Sequence, residues 1–271
     1  MSEPIAGPVA DDQLPPAEPG WVRRGGRRVL RRAVDAGVVG QRLRTHVVIC
    51  GFPRSGSTLL QLMIDSCVAQ VDSFSTEVEA LWAAQHAPRR RPWLVTKLPA
   101  DVEQIPALRD WYAEHPGSLR ALLTVRDPRS VLTSRHAAYP PSRGYYVSPE
   151  RWRRVDDLVS SLIGAPDVTV VHYEDLVGHP EQVQHSLCAE IGWSVHTPFG
   201  RFHEQARPQS LDRMTQGALG GLRQLDSSGM DAWQAPEHKE RLAAVLTELP
   251  DLPDLLVERG YADNHDWTSD L

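Results

Sequence analysis

The residues best suited to chemistry are concentrated in one segment, residues 46–65, which reads HVVICGFPRSGSTLLQLMID. Within it, Arg54 lies between Gly51 and Gly56. Hydroxyl groups follow at Ser55, Ser57 and Thr58. Guanidinium and hydroxyl groups beside a glycine-rich turn are groups that proteins use to bind phosphate. The segment therefore predicts an anion-binding loop.

Regular structure on both sides of this loop is predicted to hold it in place. Residues 47–50 are apolar and mostly β-branched, which is typical of a strand buried on both faces. Gly51, Pro53 and Gly56 end that strand. From Ser57 onward, apolar residues recur at helical spacing. A helix that begins here presents free backbone N–H groups and the positive end of its dipole to an anion.

The loop also indicates which kind of phosphate to expect. Its glycines are spaced as in a P-loop, but Ser57 occupies the position of the P-loop lysine. Nucleotide triphosphatases use that lysine at the β- and γ-phosphates and the next hydroxyl on magnesium. Here Arg54 supplies the cation instead. This pattern disfavours ATP or GTP with magnesium and favours a shorter, 5′-phosphate-type group.

Beyond the loop, short apolar runs alternate with helical patterns. Strands are predicted at residues 47–50, 92–99 (ending in a Lys-x-Pro turn), 119–125 and 168–171. Helices are predicted from Thr76 as an N-cap, with Glu77 and Glu79 in the first turn, over residues 101–115, from 128 to about 136, from about 150, and at 182–191, 211–222 and 238–246. This alternation predicts an α/β fold, with a P-loop-like, mostly parallel sheet flanked by helices on both faces.

A polar residue follows each of the four predicted strands. They are Arg54, Lys97, Arg126 and Tyr173 in chain order. In an open α/β sheet the ligand binds outside the carboxyl ends of the strands. Because four separate strands place polar side chains at that edge, we expect these residues to share one crevice.

Composition narrows the classes of function. The net charge of −6 among 271 residues argues against general nucleic-acid binding. No apolar run approaches 18 residues and the N-terminus lacks a signal-peptide core, so we expect a cytoplasmic protein without a transmembrane segment. Cys50, Cys67 and Cys188 are far apart and predict reduced thiols and no metal site. Arginine outnumbers lysine 27 to 2, which is typical of a GC-rich bacterial genome.

The N-terminal residues differ from the rest of the chain. Residues 1–20 are rich in Pro, Ala, Asp and Glu and are predicted to be disordered. Residues 21–44 form an arginine-rich lead-in, with six arginines between positions 21 and 32. That run favours a solvated helix face, with weak contact to an anionic membrane or acidic carrier as the alternative. Residues 45–271 are predicted to form a single domain.

The loop Gly-Phe-Pro-Arg-Ser-Gly-Ser-Thr resembles the 5′-phosphosulfate loop of sulfotransferases that use 3′-phosphoadenosine 5′-phosphosulfate (PAPS). Arg126 and Ser134, eight residues apart, resemble that family's 3′-phosphate motif, and we expect Ser134 two turns into a helix. Tyr173 matches a tyrosine that borders the adenine. The resemblance is closest to the Pro-Arg-Ser-Gly-Ser/Thr-Thr branch, which includes tyrosylprotein and many bacterial sulfotransferases, and covers about residues 46–178. It implies cofactor binding by Pro53, Arg54, Ser55, Gly56, Ser57, Thr58, Arg126, Ser134 and Tyr173.

The same resemblance implies catalytic roles. Arg54 and Lys97 are expected to stabilise the leaving group, and Glu77 is expected to be the base that deprotonates a hydroxyl-bearing acceptor. Glu79 is the alternative base, and His136 and His172 are further candidates because both lie near strand ends. No metal is implied.

One family feature is missing, since no clean copy of the family's Arg-Lys-Gly segment is present. Residues 216–221 are the nearest region. Arg129 and Arg135, which flank the predicted 3′-phosphate motif, are expected to be solvated.

Two other functions remain open from the sequence. One is an atypical P-loop kinase, for which magnesium-dependent ATP turnover would be diagnostic and against which the missing lysine argues. The other is a non-catalytic PAPS- or nucleotide-binding module, which would bind PAPS without forming a sulfated product.

Overall fold

The computed structural model describes residues 42–87, 89–136, 142, 144–205, 224–269 and 271. Residues 1–41 lie outside the described part, and with them the predicted N-terminal segment and nearly all of the arginine-rich lead-in. The predicted helix at 211–222 and residues 216–221 also lie outside it.

A five-stranded parallel sheet forms the centre of the fold, with the strand order β2-β3-β1-β4-β5. The strands are β1 (Thr45–Gly51), β2 (Val71–Asp72), β3 (Trp93–Lys97), β4 (Ser118–Val125) and β5 (Val168–His172). The predicted α/β fold is confirmed. Of the described strands, β2 has no sequence signal, since two residues are too short to show a periodicity.

Within the described residues, helices connect the strands and follow the last of them. They are α1 (Ser57–Cys67), α2 (Ala80–His86), α3 (Ile105–Glu114), α4 (Pro128–Leu132), α5 (Pro149–Leu162), α6 (Tyr173–Gly178), α7 (Pro180–Ile191), α8 (Phe202–Gln205), α9 (Lys239–Glu248) and α10 (Leu252–Glu258). A 3₁₀ turn, Pro99–Gln104, leads into α3.

Both faces of the sheet are covered by helices. Successive side chains of a strand point to opposite faces, and along β1 they enter two different apolar clusters. One cluster contains Leu60 of α1 and Leu187 of α7. The other contains Leu108 of α3, Trp152 of α5 and Val245 of α9. With both faces buried, the exposed edge at the carboxyl ends of the strands remains for the site.

Two helix boundaries differ from the predictions. Helix α2 begins at Ala80 and not near Thr76, because the Ala80 N–H donates to the carboxyl group of Asp101 (3.0 Å), a cap from a distant turn. Glu77 therefore precedes the helix. Helix α4 ends at Leu132, so Ser134 lies beyond the helix and not two turns into it.

The prediction that Arg129 is solvated is wrong. Its guanidinium is buried, pairs with the Asp127 carboxylate (2.7 Å) and donates to the Tyr261 carbonyl (2.6 Å). It also lies 3.8 Å from the centre of the Trp233 ring, in cation–π geometry. Arg129 thus ties the C-terminal residues to the sheet. The tryptophan and carbonyl come from more than 100 residues away, so no local pattern could reveal them.

We predict that Arg129→Met destabilises the protein by about 3–5 kcal/mol, because it leaves the Asp127 carboxylate buried and unpaired. Denaturant unfolding measures this change. The control is Arg154→Met. Arg154 is exposed and forms a surface ion pair with Glu103 at 3.5 Å. Such a pair contributes about 0–1 kcal/mol to the free energy of unfolding. Equal stabilities for the two variants would show that Arg129 does not hold the C-terminal residues to the sheet.

Candidate active site

The carboxyl ends of four parallel strands bring the predicted residues to one edge of the sheet. Lys97 is the last residue of β3 and pairs in register with Ile49 of β1. Arg126 directly follows β4, and Tyr173 directly follows β5. Arg54 lies in the loop after β1. These positions follow from the parallel register.

The β1–α1 loop is held in an unusual backbone conformation. Arg54 has φ 68° and Gly56 has φ 87°, both in the left-handed region. A non-glycine residue is uncommon there and costs conformational free energy. The buried Ser55 hydroxyl lies 2.5 Å from the Phe52 carbonyl oxygen and 2.7 Å from the Thr124 hydroxyl. The Ser55 side chain therefore attaches the loop to β4 and is not free to bind a ligand. Only its backbone N–H remains as a group that could contribute to the anion-binding loop.

Gly56 allows the loop to approach a tyrosine closely. A Cβ atom on Gly56 would lie 2.6 Å from Cδ2 of Tyr173, closer than real Cβ contacts. The guanidinium of Arg126 lies 4.1 Å from the centre of the same ring. Gly56, Tyr173 and Arg126 are thus in successive contact, and a side chain at position 56 would displace the others.

Two guanidinium groups converge beside the loop. Arg54 donates through Nε to the Ser134 hydroxyl (2.9 Å), and Arg126 donates to the Arg54 carbonyl (3.2 Å) and the Gly229 carbonyl (3.2 Å). Burial lowers the pKa of Arg54, and the neighbouring charge of Arg126 lowers it further. In the described part of the chain, neither guanidinium forms an ion pair with a carboxylate, and Nε of Arg126 is buried without a partner. This arrangement favours an anionic ligand.

Arg126 borders two cavities. One, of about 210 Å³, is bounded by the loop residues Arg54, Gly56, Ser57 and Thr58 and by Tyr173. Its wall also includes the apolar side chains of Val177, Phe202 and Leu225. The other cavity, of about 420 Å³, is lined by Arg126, Ser130, Thr133, Ser134, Arg135, Ala232, Trp233, Glu237 and His238. A ligand with two separated anionic groups and an apolar ring matches this pair of cavities.

Lys97 and Glu77 are in direct contact. The ammonium group donates to Oε1 of Glu77 at 2.6 Å. The Lys97 side chain is 4% exposed, whereas the Glu77 side chain is 51% exposed. A buried cation thus holds one oxygen of a half-exposed carboxylate, and neither Lys97 nor Glu77 lines either of the two cavities. Glu79, the alternative base, instead accepts a hydrogen bond from the Gln104 side chain (2.7 Å).

The candidate histidines lie in other surroundings. The His136 ring packs at 5.2 Å from the ring of Tyr146, and Nδ1 of His172 lies 3.2 Å from the Tyr261 hydroxyl. Tyr146 is close enough to Arg54 to raise the pKa of that guanidinium, which offsets part of the lowering caused by burial and by Arg126. Trp233 and His238 also line the site, and no sequence signal identified them.

The described residues contain neither a cluster suited to a metal ion nor a helix suited to a membrane. Among them, no group of three or more His, Cys, Asp or Glu side chains is arranged to hold a metal ion. No helix within the same residues combines the length and apolar character needed to cross a membrane.

Residues 70–197 match a family model described as "Sulfotransferase family". The match spans just under half of the chain, and it includes Glu77, Lys97, Arg126, Ser134 and Tyr173 but not the loop around Arg54. It confirms the resemblance to sulfotransferases and supports sulfotransferase activity. The particular branch is not resolved by it.

The chain is also similar to solved sulfotransferase structures. A mouse sulfotransferase, SULT7A1, complexed with PAP is 14% identical, with a TM-score of 0.50 over 81% of this chain and 88% of that chain. The sulfotransferase domain of the Synechococcus PCC 7002 olefin synthase is 18% identical, with a TM-score of 0.46 over 77% of this chain and 95% of that chain. None of the curated proteins compared with the chain matches it. At such identities, the likeness to the mouse protein shows the fold alone.

We predict that Gly56→Ala weakens binding of 3′-phosphoadenosine 5′-phosphate (PAP) by more than about tenfold, equivalent to about 1.4 kcal/mol. The added Cβ would push the Tyr173 ring away from Arg126. Calorimetric titration measures the affinity.

The matched control is Gly192→Ala, at a glycine with φ 78° and no atom within 4 Å of its added Cβ. It imposes a similar backbone strain, of about 1–3 kcal/mol, away from the site. We expect both variants to lose stability and only Gly56→Ala to lose affinity. If Gly56→Ala and Gly192→Ala bind PAP with equal affinity, the contact between position 56 and Tyr173 does not shape the site.

Proposed function

We propose that this protein transfers the sulfuryl group of PAPS to a hydroxyl group of a small molecule, glycan or lipid. The observation that carries the proposal is the convergence of the Arg54 and Arg126 guanidiniums, without carboxylate partners in the described part, beside a P-loop-like turn. The contact between Lys97 and Glu77 at the same edge of the sheet supports a catalytic role for the site.

The residues of the site fit this donor. The amides and hydroxyls at Ser57 and Thr58, with Arg54, would hold the 5′-phosphosulfate at the start of α1. Arg126, whose buried Nε has no described partner, would hold the 3′-phosphate with Ser134. Tyr173 would border the adenine. When bound, PAPS supplies an activated sulfuryl group, and the site needs no metal.

Catalysis by these residues combines positioning with charge stabilisation. Lys97 is fixed by burial and by its bond to Glu77, so its ammonium can stabilise negative charge at the departing oxygen together with Arg54. The exposed Glu77 carboxylate accepts the proton of the acceptor hydroxyl as that oxygen bonds to sulfur. PAPS would supply the sulfuryl group, and its 5′-phosphate oxygen would be the leaving atom, whose negative charge Lys97 and Arg54 would stabilise as PAP departs.

The two alternative functions are less well supported. A P-loop kinase would need a cation at the position of Ser57, and the family match is to sulfotransferases. A non-catalytic module would not need a buried ammonium paired with an exposed carboxylate.

A cytoplasmic location in a bacterium completes the proposal. All three cysteines are free thiols, and burial raises the pKa of Cys67 to about 12. Buried, unpaired thiols favour a reducing compartment. The predominance of arginine over lysine supports the bacterial origin.

The test is incubation of the protein with PAPS carrying labelled sulfate and with an extract of hydroxyl-bearing metabolites, followed by identification of labelled products. We predict a sulfate ester for the wild type. Glu77→Gln should lower kcat by about 10²–10⁴-fold, as loss of a general base does, with PAPS affinity unchanged. Glu79→Gln is the comparison and should keep its activity, since the Glu79 carboxylate already accepts a hydrogen bond from Gln104.

Two outcomes would count against this account. PAPS binding without any labelled product would favour the non-catalytic module. Full activity of Glu77→Gln with loss of activity in Glu79→Gln would move the base to Glu79.

A further inference from the structure

We propose that Asp101 is a positioning residue that holds the segment carrying Glu77 against Lys97. The inference rests on the proposed function, in which Glu77 is the base. Asp101 itself faces away from solvent and would not touch the substrate.

The Glu77 segment needs external support because it has no regular secondary structure. Residues 77–79 precede α2, and the Glu77 side chain is half exposed. Hydrogen bonds join this segment and the first residue of α2 to the end of β3 and to the turn that follows it, at three points. They join Lys97 to Glu77 (2.6 Å), Gln104 to Glu79 (2.7 Å), and the Ala80 N–H to Oδ2 of Asp101 (3.0 Å).

Asp101 connects the end of β3 to this segment through hydrogen bonds. Its N–H donates to the Leu98 carbonyl (3.0 Å), and the Leu98 N–H donates to the Ile49 carbonyl of β1 (3.2 Å). Lys97 directly precedes Leu98, so the turn that orients Lys97 also fixes Asp101. The bond from Ala80 then fixes the start of α2 relative to Lys97. Of the three attachments, this one uses the most deeply buried side chain.

The surroundings of Asp101 favour an uncharged acceptor. Its side chain is fully buried, and Oδ1 has no partner in the described part of the chain. Glu77, Glu79 and the Cys50 thiol face it, together with the Ala80 N–H. Burial, and then the two glutamates, raise the pKa of Asp101 to about 8. At neutral pH the group therefore adds no third negative charge beside the glutamates, and an amide of the same shape should replace it.

The first test compares Asp101→Ala with Asp101→Asn by turnover of PAPS. We expect Asp101→Ala to lower kcat by about tenfold to 10²-fold, the scale of a displacement of about 1 Å at a reacting group. The KM for PAPS and the affinity for PAP should not change, because the loop and Arg126 are untouched. Asp101→Asn should restore kcat to within about threefold, since its amide oxygen can accept from Ala80.

The second test needs no turnover, because the chain contains only two lysines, Lys97 and Lys239. Protein labelled with ¹³C-lysine gives two side-chain signals by NMR, and Lys97→Arg assigns them. We expect Asp101→Ala to move the Lys97 signal towards its position in Glu77→Gln, where the ion pair is broken. Asp101→Asn should leave it at the wild-type position, and Lys239 of α9 serves as an internal reference.

Asp110→Ala, at an exposed position of α3, is the matched control and should change neither readout. The proposal is overturned if the Lys97 signal of Asp101→Ala coincides with that of the wild type, or if Asp101→Asn behaves like Asp101→Ala. An unchanged kcat in folded Asp101→Ala would also overturn it. Absence of product from the wild type would instead refute the proposed function, while the NMR comparison would still decide whether Asp101 positions Glu77.

Discussion

The site depends on two like charges that the fold holds side by side. Arg54 and Arg126 reach the same point because β1 and β4 are adjacent and parallel. Neutral groups hold them there, namely the Ser134 hydroxyl, the Arg54 carbonyl and the face of the Tyr173 ring. The two charges repel each other in the folded protein. A ligand that brings an anionic group to each of them would relieve this repulsion. Such preorganisation increases affinity because little rearrangement remains for the binding step.

The second half of the site is built on the other neighbour of β1. Strand β3 ends at Lys97, and the turn that follows supplies the attachments for the segment around Glu77. In the proposed function, donor binding and proton removal therefore lie on opposite sides of the central strand. This division explains why changes at Glu77 or Asp101 should alter kcat, whereas changes at Gly56 should alter nucleotide affinity.

The sequence predicts most of the fold because strand and helix periodicities are local, and parallel order then places the strand ends together. It also predicts the residues at those ends. It fails where a distant group decides the local structure. The cap of α2 comes from Asp101 and not from Thr76, and Ser134 follows a helix that ends early. Arg129 is buried by Trp233, which no spacing within β4 and α4 could indicate.

The most direct test of the central claim is a calorimetric titration of the protein with PAP, with a chelator and with magnesium, beside a titration with adenosine 5′-phosphate. A site of two guanidiniums and a helix N-terminus needs no metal, so we predict the same PAP affinity in both buffers. Adenosine 5′-phosphate lacks the 3′-phosphate that would contact Arg126, so its binding free energy should be weaker than that of PAP by about 2–4 kcal/mol. A strict requirement for magnesium, or equal affinities for the two nucleotides, would contradict the account.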